Sequence, residues 1–329
     1  MKRLITLTIC AFIGMTAYCA TVQRTILSHK GTITQYDANH WQDAISDAVA
    51  GDTVYFTSGL FFVPSDGAPC GDLIIDKPIT LIGAGVSQTD CFYADVYKDY
   101  CTSGTSTTLK ANVVISIPGS LTLKSTLLEG FYIPDGGSIC VTMPVTNLAI
   151  KRCQFAGGYG GGSFGASATV TNLTMEQCCI GWLSGSNLVN PDIHNCYIGN
   201  TTDLPEGFEL TNCIINNFSY AHNCTLINCG YREAYTSSHN TFVNCMYADW
   251  GEANSSYTNC WRDEDLTALS ETQIKDLGYI GTDGTAVGTF GGPAPFTLVP
   301  SQPYVSSSSV TYNKSTKMLN VNVTVKKGQ

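Results

Sequence analysis

Between residues 150 and 261 the chain repeats one short phrase seven times: an apolar residue, any residue, a polar residue, then Cys. The copies end at Cys153, Cys178, Cys196, Cys213, Cys229, Cys245 and Cys260, at steps of 25, 18, 17, 16, 16 and 15 residues. Three places before Cys stand Ile150, Met175, Ile193, Leu210, Leu226, Phe242 and Tyr257. Two places after it stand Phe155, Ile180, Ile198, Ile215, Tyr231 and Tyr247, with Arg262 in the last copy. Self-similarity at such a period marks a stack of equivalent units, each too small to bury a core alone.

Cys and its +2 partner share a face in an extended strand, but the −3 residue has an odd offset and points the other way. A corner just before Cys returns all three to one side. That position is polar in every copy and is Asn195, Asn212, Asn228, Asn244 and Asn259 in five. Asn tolerates the left-handed conformation a tight bend requires. Each unit therefore reads as strand, corner, strand, and the stack as a parallel β-helix. A helical reading is opposed by the β-branched residues and Gly interruptions. The Asn residues are expected to form a ladder whose amides satisfy one another, and the Cys residues a row of small buried hydrophobes.

The rest of the chain predicts elements at both ends of this stack. Residues 21–39 form a polar lead-in with short strand signals. Residues 40–50 read as a short amphipathic helix with Trp41, Ala44, Ile45, Ala48 and Val49 on one face. Strands follow at 54–56, 60–63, 72–76, 79–82, 107–117, 121–123 and 127–133, with an acidic, aromatic insertion at 86–108. Residues 157–165 are Gly-rich but lack the Gly-Lys-Ser/Thr of a phosphate loop, so they read as a long turn. Leu266, Leu269, Ile274 and Leu277 are available to cover the last unit. Residues 278–329 form a Gly/Pro-rich closing segment and a β-hairpin.

The opening carries a family resemblance. Trp41-Gln-Asp-Ala-Ile45, Gly51-Asp-Thr-Val-Tyr-Phe56 and Ile75-Asp-Lys-Pro-Ile-Thr-Leu-Ile-Gly-Ala-Gly85 resemble the start of pectate-lyase-like right-handed parallel β-helix proteins, across roughly residues 38–265. The resemblance implies an all-β fold: a right-handed parallel β-helix over 21–277 with the helix plugging its first coil, and a short C-terminal β appendage. It implies little about activity, since this fold carries many functions. The run at 281–296 is similar to the closing segment of secreted bacterial β-helix proteins.

Composition narrows the setting. Lys2 and Arg3 precede a mostly apolar run to Ala17 and small residues near Ala20, which reads as a signal peptide over 1–20 and predicts export to the periplasm, cell surface or exterior. Cys19 invites a lipidation reading, but Tyr18 is bulky for the site before a lipidated Cys. No segment suits a transmembrane helix. Only 13% of residues are charged, the net charge is −9 and no basic stripe is visible, so nucleic acid is excluded as a partner. Of fifteen cysteines, Cys10 and Cys19 lie in the leader and seven in the repeat. Cys70, Cys91 and Cys101 lie outside it and are the disulfide candidates, with Cys91–Cys101 the expected pair. No zinc-like spacing is present, and no metal or cofactor is expected.

Chemistry has few handles. The carboxylate, Gly-His-Gly and Arg-Ile-Lys motifs of polygalacturonases are absent, as is the Trp-x-Asp-His signature of pectate lyases. What remains lies in the segments between phrases. Residues 16 apart meet on one face of a stack, so Arg232, Glu233, Asp249 and Glu252 form a candidate charged patch beside Tyr235 and Trp250. His194 and His222 sit beside corner Asn residues and are given structural roles. The sequence thus favours an exported protein that binds a polysaccharide or surface glycan as a scaffold. The alternative is a lyase or glycoside hydrolase acting on uronate-containing glycans, and only a lyase would call for calcium.

Overall fold

The computed structural model describes residues 23–91, 94–102, 106–121, 125–134, 136–155, 162–248, 254–301, 304–313 and 318–326. The expected signal peptide at 1–20, residues 156–161 of the Gly-rich run, and Asp249, Trp250 and Glu252 lie outside these residues.

The fold is all-β and dominated by two long sheets, of 12 and 14 strands among the described residues. The chain alternates between them. Each pass lays one strand parallel to the strand of the pass before. Thus Leu148–Lys151, Thr174–Glu176, Asp192–His194, Glu209–Thr211, Thr225–Ile227, Thr241–Val243 and Ser256–Thr258 follow one another in the first sheet. Cys179–Ser184, Tyr197–Thr202, Ile214–Ser219, Gly230–Tyr235, Met246–Tyr247 and Trp261–Arg262 do so in the second. The lead-in is an antiparallel hairpin, Thr25–His29 with Thr32–Tyr36, which joins the first sheet through Thr53–Phe56.

The columns of the repeated phrase are the columns of the core. Ile150, Met175, Ile193, Leu210, Leu226 and Phe242 stand in register and are buried. Ile180, Ile198, Ile215 and Tyr231 do the same in the second sheet. Cys178 belongs to this interior and its neighbour Cys179 to a separate cluster outside the second sheet. All seven pre-Cys residues are left-handed, with φ from 49° at Asn244 to 57° at Gln177. One such residue per pass reorients the chain between sheets.

The buried thiols are hydrogen-bond donors as well as fillers. Each Sγ is within donating distance of two carbonyls, that of the residue two before it and that of the apolar residue three before the Cys of the preceding pass: Cys178 reaches Ile150 O at 3.3 Å, Cys196 Met175 O at 3.6 Å, Cys229 Leu210 O at 3.3 Å and Cys245 Leu226 O at 3.3 Å. Burial pushes the thiols of Cys153, Cys196, Cys229 and Cys245 well above their ordinary pKa, which keeps the donor proton in place. Val would fill the site but lacks the donor. Cys229→Ala is expected to cost about 1–2 kcal/mol, from the lost bond and the small cavity, as a lower urea midpoint with an unchanged m-value. A midpoint equal to that of the unaltered protein would assign the thiol no energetic role.

Several expectations are corrected. The helix spans only Trp41–Asp47 and Ala48 is extended, so Val49 is 49% exposed. Trp41 packs edge-on against Phe56 and Phe61 at 6.1 and 5.6 Å. Residues 119–121 form a 3-10 turn where a strand was expected to begin. The run 107–117 splits into Thr107–Lys110 and Asn112–Ile115, which pair with different strands. Leu266, Leu269 and Ile274 are buried, but on the outer face of the second sheet with Ile214 and Met246, and Leu277 is exposed. A capping box at Ser270 starts the short helix Glu271–Asp276.

The largest correction concerns the Asn ladder. The amides do not bond one another. Two of them, Asn195 and Asn228, bond the closing segment instead, which runs back along the corner opposite to the direction of stacking. Asn228 Oδ1 accepts from Thr282 N at 3.0 Å. Asn195 Nδ2 donates to Thr289 O at 3.1 Å and Gly291 O at 2.6 Å. Gln177 Nε2 donates to Ala294 O and Pro295 O. Glu129 Oε1 accepts from Ser301 N at 2.7 Å. Gly292, at φ 73°, lies against Asn212 where no side chain fits. The physical reason is access: the corner side chains face outward onto the strap, whose irregular backbone has unpaired groups to satisfy. Beside it Lys151 pairs with Glu176 at 2.5 Å. Burial alone would raise the Glu176 carboxyl, but the bond and charge of Lys151 outweigh it and, with His194 and Arg152, hold it below its ordinary value.

Candidate functional site

Four strands of the second sheet are six residues long, against two for its last strands, Met246–Tyr247 and Trp261–Arg262. Their inward positions are Ile180, Ile198, Ile215 and Tyr231, and then Leu183, Thr201, Phe218 and Ala234, in register from strand to strand. Inward positions three apart break the period of two, so the strands bend between them and turn two successive residues outward. The outward face therefore carries paired rows. One is Gly181, Gly199, Asn216 and Arg232. The other is Trp182, Asn200, Asn217 and Glu233, whose members are register partners.

The first row is low at its start. A Cβ at Gly199 would meet Gly181 O at 2.6 Å, so glycine lets the two backbones approach closely beside Trp182. Asn200 Nδ2 reaches Gly181 O at 3.5 Å. The Ser219 hydroxyl donates to Asn217 Oδ1, which turns the other end of that amide to solvent. Tyr235 OH donates to Glu233 Oε2 at 2.9 Å and fixes the carboxylate. Arg232 is exposed and forms no ion pair among the described residues. Tyr220 and Tyr235, 53% and 50% exposed, flank the far side. The face thus offers an indole, three amides, a carboxylate, a guanidinium and two phenols. Such groups hydrogen-bond hydroxyls and stack on the apolar faces of rings.

Arg232, Glu233 and Tyr235 were expected between the structural units; they lie on the strand Gly230–Tyr235. That strand brings them together, while their expected partners Asp249, Trp250 and Glu252 lie outside the described residues. His194 meets Asn195 Oδ1 at 3.2 Å, and His222 meets Ser238 Oγ at 3.1 Å. Among the described residues no group of three or more His, Cys, Asp or Glu is placed to hold a metal ion, and no helix is long and apolar enough to cross a membrane. The row of Trp182, Asn200 and Asn217 escaped the sequence reading. Its signal was present: each member stands four residues after a ladder Cys.

Comparison with protein-family models, curated proteins and solved structures finds no match.

Proposed function

We propose that the chain is an exported right-handed parallel β-helix, capped at its first coil by the helix Trp41–Asp47, and that it serves as a surface or secreted scaffold binding an extended glycan along its axis. The observation that carries this reading is the row Trp182, Asn200, Asn217 and Glu233. Its members repeat at one strand spacing, about 4.8 Å, which is near the advance of one pyranose in an extended polysaccharide. A glycan laid on it meets a stacking ring first, amides for successive sugar hydroxyls next, and the Arg232–Glu233 pair last. The resemblance of the opening segments to pectate-lyase-like proteins supports the winding and the handedness.

The test is binding of the full chain to an array of neutral and uronate-containing polysaccharides, followed by calorimetry on the best ligand. Trp182→Ala and Asn217→Ala are each expected to weaken binding about 10-fold, which corresponds to about 1.4 kcal/mol. Unchanged affinity in both variants would move the ligand to another face, and no binding across the array would remove the reading.

A second reading, a lyase or hydrolase on uronate-containing glycans, rests on Arg232, an exposed guanidinium beside a fixed carboxylate. The same polysaccharides incubated with the protein, with and without calcium, test it through ultraviolet absorbance of unsaturated ends. Turnover that is lost in Arg232→Ala would replace the scaffold reading.

A further inference from the structure

The excursion of residues 86–102 is tied at its base. Thr102 N donates to Val86 O at 2.8 Å, Gln88 N donates to Thr102 O at 3.1 Å, and Ser87 bridges Thr102. Its far end lies on the outer face of the second sheet. Gln154 Nε2 holds Asp90 O at 2.5 Å, and Tyr97 is buried among Tyr197, Phe290 and Phe296. Two cysteines close this excursion from inside. Cys91 and Cys101 are both thiols, 9% and 6% exposed, in one buried cluster. Cys101 Sγ also reaches Tyr97 O at 3.4 Å. A third thiol, Cys179, belongs to the same buried cluster. It is fixed in the sheet by the register of its strand with Gln154 and Tyr197.

We infer that Cys91 and Cys101 are a disulfide-forming pair, and that Cys179 stays beside the bond as a reduced thiol. The pair shares one short excursion whose ends are already joined, so closure moves neither sheet. A bond to Cys179 would instead tie the excursion to a strand of the second sheet that is already fixed by its register. The oxidant is an external disulfide, by thiol–disulfide exchange. The Cys91 thiolate attacks one sulfur of the oxidant and releases one thiol. Cys101 then loses its proton and attacks Cys91 Sγ, releasing the second thiol. Two protein thiols are oxidised, one external disulfide is reduced to two thiols, and no other electron acceptor is needed.

The bond fastens a docking platform. Leu298 N donates to Tyr100 O at 2.8 Å, Val86 N donates to Leu298 O at 3.4 Å, and Tyr97 OH meets Thr289 Oγ1 at 3.1 Å. The strap that bonds the corner side chains is therefore seated on the excursion the disulfide closes. This inference is independent of the glycan reading.

The full-length protein is equilibrated in a buffer of reduced and oxidised glutathione, quenched in acid, unfolded, alkylated and mapped by peptide mass spectrometry without reduction. The expected product links Cys91 to Cys101, with Cys179 alkylated, in both the unaltered chain and Cys179→Ala. Reduction is expected to lower the melting midpoint of the unaltered chain by about 5 °C, and to leave that of the Cys91→Ala/Cys101→Ala double variant in place. Recovery of both cysteines as alkylated thiols after oxidation overturns the inference. So does a dominant link from either one to Cys179. The map of the unaltered chain decides the matter even where a variant fails to fold.

Discussion

Replacing Glu129 by Ala is expected to destabilise the protein by about 3–5 kcal/mol, among the largest effects of any single polar substitution in the chain. Glu129 is 3% exposed at the end of the strand Thr126–Glu129. Its Oε1 receives Arg152 Nη1 at 2.8 Å and Ser301 N at 2.7 Å. Arg152 Nε in turn donates to Gln177 Oε1 at 2.8 Å, and Gln177 reaches the strap at Ala294 and Pro295. The carboxylate therefore neutralises a largely buried guanidinium, 12% exposed, and anchors one end of the strap. Alanine would leave Arg152 desolvated without a counter-charge. Glu129→Gln keeps an acceptor and the side-chain volume, and is expected to cost less, about 1–3 kcal/mol. Adding Arg152→Met to Glu129→Ala is expected to recover part of the loss, because removing both members of a buried pair is far milder than removing one. Guanidinium unfolding of the three variants gives the ranking. A Glu129→Ala midpoint within about 1 kcal/mol of the unaltered protein would mean that water reaches Arg152.

Asn195→Ala is the second large effect, expected near 3 kcal/mol, and its glycine counterpart separates the causes. Asn195 combines a φ of 53° with 1% exposure and two bonds to strap carbonyls. Alanine loses the amide and strains the left-handed backbone, which costs on the order of 1–2 kcal/mol beyond the hydrogen bonds. Glycine loses only the amide and is expected to cost about 1–2 kcal/mol. At Asn259, also left-handed at φ 51° but exposed and without a strap bond among the described residues, alanine should cost only about 1 kcal/mol. Denaturant midpoints order the variants, and limited proteolysis reports the strap: Asn195→Ala and Asn195→Gly should both speed cleavage within 282–301, and Asn259→Ala should not. Equal cleavage in all three would separate the strap from the corner amides.

The seven phrases made the parallel stacking readable, because a register column in a sheet is a sequence column at the stacking period. Ile150 to Phe242, Ile180 to Tyr231 and the left-handed corner were all visible as aligned positions. A second left-handed column was present at the same stride but went unread: Asn147, Asn172, Asn190, Gly207, Asn223, His239 and Asn254, each six residues before a Cys. It lacks an invariant neighbour to mark it. The row four after Cys was hidden by its variety, since an outward face constrains spacing and leaves residue type free. The strap contacts were illegible for a different reason. Asn195 meets Thr289 across 94 residues, and local periodicity carries no trace of so distant a pairing. The candidate site was misplaced into turns because six-residue strands with a mid-strand bend do not alternate.

In a stack of repeats each unit touches only its neighbours, so units are in principle added or lost one at a time. The closing strap removes that freedom. It reads along the corner from Asn228 through Asn195 and Gln177 to Glu129, and each anchor lies at its own point on a segment of fixed length. The strap is a measuring tape laid against the stack: its residue count and the number of passes are bound to each other, and a gain or loss of one pass puts every anchor beyond it out of step.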